Sequence, residues 1–111
     1  MKKVLLAAIA ALFLATGVQA QDRTVIGYQN FSCGTWVSTR AKGQAAKAEA
    51  WILGFLSGAN MDSLMPDFLT GKDANGIEIW IDNYCRANPL ASIITAAVDL
   101  RNKLQSENRP K

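Results

Sequence analysis

Apolar residues recur at three- and four-residue steps through most of the chain, and that spacing predicts helices. The last stretch is the clearest: Leu90, Ile93, Ala97, Leu100 and Leu104 form one stripe, with Ile94 and Val98 beside it. Asn88-Pro89 offers a cap and a first-turn proline, so this helix is expected to start there. Arg101 and Lys103 near its end suit the negative pole of the helix dipole. In residues 73–87, Ile77, Trp80, Ile81 and Tyr84 sit at i, i+3, i+4 and i+7. Residues 77–82 also alternate as a strand would, but the helical period continues through Tyr84 and favours helix, with Asp73 or Asn75 as cap.

Residues 44–59 open on good helix formers, and Trp51 and Phe55 follow one turn apart with Ile52 and Leu56 beside them. Ala50, Gly54 and Gly58 form a second stripe of small residues. Glycine weakens a helix, so two of them a turn apart predict close packing against another element, the last helix being the expected partner. Cys33, Trp36 and Val37 mark a short first helix over residues 33–39, stopped by the polar run that ends in Gly43. Residues 60–71 read as a connection, because Pro66 breaks a helix and Asn60, Asp62, Ser63 and Gly71 favour turns. Its Leu64, Met65, Phe68 and Leu69 are too apolar for an idle loop. They are expected to fold over the core edge, or to form a flap that meets a partner. The predicted fold is all-α: a small single-domain orthogonal bundle of about four helices.

Residues 1–20 stand apart from this pattern. Lys2 and Lys3 precede an apolar run over residues 4–18, and Val18-Gln19-Ala20 fits a signal-peptidase site. The run is shorter than the roughly 20 residues a spanning helix needs. Residues 1–20 are therefore expected to be a removable signal peptide, and residues 21–111 the working domain, exported to the periplasm with no membrane attachment after cleavage. Residues 21–32 are polar and aperiodic, an extended or disordered lead-in. Cleavage removes two of twelve basic residues and none of nine acidic ones, so the charge falls from +3 to +1. A near-neutral domain without a basic cluster offers no footprint for nucleic acid.

Export and parity point to one disulfide between Cys33 and Cys85, the only two cysteines. A free thiol pair and a metal site are the rivals; a metal site wants about four closely spaced ligands, and the chain has no histidine. Asp73-Ala74-Asn75-Gly76 resembles part of a calcium loop, but Gly71 and Asp82 would then stand where strong ligands are required, so a capping turn is the better reading. Without histidine the commonest general base is missing, and no phosphate or dinucleotide loop is present. Glu78 and Asp82 are read as a solvated helix face. Neither an enzymatic residue set nor a cofactor is expected. The three tryptophans, with Phe55, Phe68 and Tyr84, can line a pocket, but aromatics at helical spacing in so short a chain are first of all core.

Taken together, Cys33-x-x-Trp36-Val37, Ala50-Trp51 and the run Ile81-Asp82-Asn83-Tyr84-Cys85-Arg86-Ala87-Asn88-Pro89 resemble the HdeA/HdeB acid-stress chaperones of the bacterial periplasm. The two cysteines fall where that family's disulfide cysteines would. The resemblance implies a folded state at neutral pH and, in acid, a loosened chain that holds unfolding client proteins; a homodimer is compatible with it. Full protonation of nine carboxylates would take the mature charge from +1 to about +10. The residues expected to meet a client or partner are Trp51, Phe55, Leu64, Phe68 and Trp80. The Cys-helix-helix-Cys layout also resembles the Tai-like amidase-immunity proteins of type VI secretion. That resemblance implies a folded module that binds one protein partner, although the extra cysteines usual in that family are missing.

Overall fold

The computed structural model describes residues 24–28 and 30–109. The signal-peptide expectation for residues 1–20 lies outside them. Four helices follow in order: α1 (Cys33–Ala41), α2 (Ala46–Asn60), α3 (Ala74–Ala87) and α4 (Ile93–Glu107). The competition between helix and strand in residues 77–82 resolves as helix, and none of the described residues forms a strand beyond one isolated bridge.

Each helix is delimited by local chemistry. Ser32 caps α1 by accepting from Thr35 N, and Ser92 caps α4 by accepting from Thr95 N. Asp73 caps α3 through Gly76 N, so the calcium-like tetrapeptide is a capping turn. At the end of α1, Gly43 takes φ +66°, its N–H bonds Arg40 O and the next N–H bonds Thr39 O. This pair of hydrogen bonds is the usual way a left-handed glycine satisfies the last carbonyls of a helix.

The last helix starts later than the Asn88-Pro89 signal predicts. Asn88 ends α3 instead, its side-chain amide donating to Tyr84 O. The peptide after it then serves α1: Cys33 N donates to Ala91 O at 2.7 Å and Gly34 N to Pro89 O at 3.0 Å. In return, Ile93 N donates to Phe31 O at 3.0 Å. The first turn of a helix leaves its N–H groups without internal partners, and here two chain segments satisfy each other's through the Ser32–Ser92 bridge. Leu90 consequently projects into solvent rather than joining the apolar stripe.

The disulfide Cys33–Cys85 lies beneath this bridge, both cysteines fully buried, and ties the start of α1 to the end of α3. It closes a 52-residue separation, for which chain entropy suggests roughly 4 kcal/mol of stabilisation. Neither cysteine is free, so the thiol-pair reading is excluded.

The core gathers Trp36 from α1, Ala48, Ile52 and Leu56 from α2, Ile77 and Ile81 from α3, and Ile93, Ala96, Leu100 and Leu104 from α4. Helix α1 packs on α3, and α2 and α3 both pack on α4. The small stripe of α2 does not behave as expected. Gly54 and Gly58 are exposed, and a Cβ at either would meet nothing within 4 Å. The buried face of α2 is instead Ala48-Ile52-Leu56. No helix among the described residues is long and apolar enough to cross a membrane.

Candidate functional site

Two features outside the plain core carry chemistry: a carboxylate cluster around Arg40 and a set of aromatic faces. The cluster is built from three helices. Arg40 comes from the last turn of α1, Glu49 from the first turn of α2, and Glu78 and Asp82 from one face of α3. Asp82 is only 9% exposed and accepts three hydrogen bonds. Trp36 Nε1–H reaches its Oδ1 at 2.8 Å, Arg40 Nε–H the same oxygen at 3.0 Å, and Arg40 Nη2–H its Oδ2 at 2.8 Å. Such a two-pronged guanidinium–carboxylate contact is both directional and strong. Arg40 also donates from Nη1 to Glu49 Oε1 at 2.8 Å, stands 3.5 Å from Glu78 Oε2, and lies 5.7 Å over the Trp36 ring.

Glu78 and Asp82 therefore do not form the solvated face expected of them. Sequence periodicity alone assigns them to the polar side of α3, but α1 packs across that side and brings a cation with it. Missing from the sequence reading was Arg40 itself: it lies in a polar run that ends a helix, and only the packing of α1 on α3 aims it.

The two carboxylates respond oppositely to this setting. Burial pushes Asp82 toward protonation, yet the bonds from Arg40 and Trp36 and the nearby charges of Arg40 and Arg86 outweigh it, so its pKa lies below the usual aspartate value. For Glu78, burial and then the negative charge of Glu49 outweigh the attraction of Arg40, and its pKa is raised. The Arg40 guanidinium, held by Asp82 and Glu49, is raised further above its already high value. A shallow hollow bordered by Val37, Arg40, Asp82 and Arg86 opens the cluster to solvent.

The aromatic residues form two surface pairs. On α2, Trp51 stacks on Phe55 with centroids 5.5 Å apart, and Tyr28 sits edge-on to Trp51 at 6.1 Å and to Phe31 at 5.1 Å. On α3, Trp80 stacks on Tyr84 at 5.4 Å, and Tyr84 OH donates to Asp99 Oδ2 at 2.9 Å. That bond to Asp99, then burial, raise the tyrosine pKa. Beside Trp80, a groove of about 290 Å³ runs between the start of α3 and the end of α4, lined by Lys72, Ile77, Leu100 and Leu104 among others.

The five residues expected to meet a partner are thus not one surface. Phe68 is 1% exposed, and its N–H is held by Asn60 Oδ1. It plugs the core, as the core-edge reading of the connection requires. Trp51, Phe55 and Trp80 are half-buried on two different helices. Leu64 is 90% exposed at the tip of the α2–α3 connection, next to Met61 at 83%. Asp67 organises that tip through bonds from Thr70, Asn60 and Leu69, which lower its pKa to about 2. Among the described residues no group of three or more acidic, cysteine or histidine side chains is placed to hold a metal ion.

Compared with protein-family models, curated proteins and solved structures, the chain matches none of them.

Proposed function

We propose that the chain is an exported periplasmic holding protein, similar to the HdeA/HdeB acid-stress chaperones, that stays closed near neutral pH and binds unfolding proteins when acid opens it. The observation that carries this reading is the Arg40 cluster. It joins α1, α2 and α3 through carboxylates, while the largest fully buried side chains, Trp36 and Phe68, are shut inside. Strong acid removes the negative partners, leaves Arg40 without its counter-charge and beside Arg86, and so loosens the contact of α1 with α3. The buried disulfide contains no ionisable group and keeps the opened chain compact. The export signal in residues 1–20 and the disulfide-permissive compartment it implies agree with this placement. No enzymatic activity is part of the proposal.

The test uses the purified mature protein with its disulfide intact. It is expected to suppress aggregation of an acid-unfolded client at pH 2–3 and to have little effect at pH 7. Unhindered client aggregation at pH 2–3 would refute the reading.

A second reading, a folded-state module that binds or inhibits one partner protein, is favoured by the tip of the α2–α3 connection. Met61 and Leu64 are exposed there on a turn fixed by Asp62 and Asp67, a preorganised apolar contact. It calls for stoichiometric binding at pH 7 that L64D abolishes without changing the helical content.

A further inference from the structure

The lead-in ahead of α1 is not idle. Trp51 Nε1–H donates to Ile26 O at 3.2 Å, and Gly27 lies directly against the indole ring. Gly27 takes φ +128°, and a Cβ built there would overlap Nε1 and Cδ1 of Trp51. Only glycine suits both the conformation and the approach. Tyr28 then turns edge-on to Trp51, with Phe31 behind it. Residues 24–28 thus lie on α2 as an extended peptide lies on an aromatic platform: one backbone carbonyl fixed by an indole N–H, a residue without a side chain over the ring, and an aromatic ring at the next position. This segment contributes no residue to the fully buried core, and Ile26 itself is exposed. Its removal would leave the fully buried core in place and would uncover the Trp51 ring.

We propose that the Trp51–Phe55 face of α2 is a binding site for an extended segment of an unfolding client, of the form apolar-small-aromatic, and that residues 24–28 occupy it in cis. The proposal rests on the reading of the chain as a binder of unfolding proteins, and it names the site and the chemistry of the segment bound. The partner's chemistry is read from the occupant already seated there. A client supplies the same three features: a free backbone carbonyl, a glycine and a neighbouring aromatic ring. The tethered segment competes at an effective concentration in the millimolar range, so an untethered peptide reaches the site weakly until the segment is dislodged.

The experiment measures binding of a fluorescently labelled Thr-Val-Ile-Gly-Tyr peptide to the full mature chain at pH 7. The G27V variant, whose own segment can no longer seat, is expected to bind the peptide at least about tenfold more tightly than the unaltered protein. A peptide with valine in place of its glycine is expected not to bind, and W51A added to G27V is expected to abolish binding. If G27V lowers the helical circular-dichroism signal, Y28S, which removes the Tyr28 ring from Trp51 without altering a helix, replaces it with the same expected direction. Equal affinity for the variant and the unaltered protein, no binding to either, or binding that survives W51A would overturn the proposal. None of those results bears on client protection at pH 2–3, so the site and the broader reading fail separately.

Discussion

Asp82 and Glu78 sit one turn apart on α3 and face the same guanidinium, yet their substitution should have opposite consequences. D82N removes the charge and one of the two oxygens that accept from Arg40, and leaves Arg40 partly buried without its main counter-charge. Bonds of this kind contribute about 1.5–3 kcal/mol each, and the loss of stability at pH 7 is expected to be about 2–3 kcal/mol in urea titration. E78Q replaces a carboxylate whose ionised form the site disfavours. It should leave stability at pH 7 unchanged or slightly higher in the same titration. A comparable loss in both variants would mean that the two carboxylates act alike, contrary to their geometry. This distinction was not legible in the sequence, where both residues read as solvated. The period of a helix tells which side chains share a face, but not what another helix brings to that face.

The α2 glycines make the sharpest test among the helices. Close packing would make any added methyl costly. In the structure Gly54 and Gly58 face open space, so G54A and G58A should each stabilise the protein by up to about 1 kcal/mol, read as a higher melting temperature. The start of α4 gives a second test. S92A should cost about 1 kcal/mol, because Ser92 rather than Asn88 caps the helix. The existence and type of all four helices were legible from spacing, and Asp73 was one of the two caps that residue type offered for α3. The start of α4 was not. Asn-Pro is a sound local signal for a helix start, but residues 89 and 91 are drawn out of the helix to satisfy the first amides of α1, and no local pattern records that demand. The candidate partner residues suffered the same limit. Phe68 and Leu64 lie four positions apart in one apolar connection, yet one plugs the core and the other stands in solvent.

Across the whole molecule, the linked pKa shifts give the pH response a shape. Glu78 is raised, so the folded state takes up its proton before the unfolded state does, and this contribution makes stability increase as pH falls toward the ordinary glutamate value near 4.3. Asp82 is lowered, so the unfolded state is the first to be protonated there; the stability it contributes is present above about 3.9 and is lost as pH falls further. On the proposed reading, the cluster is expected to hold through mild acid and to release in strong acid. Client protection followed against pH, for the unaltered protein and D82N side by side, tests this link between opening and binding most directly. The account predicts that the unaltered protein begins to suppress aggregation only below about pH 4, and that D82N, whose cluster is already weakened, begins at a clearly higher pH. An identical onset for the two proteins, or no protection by either at any pH, would contradict it.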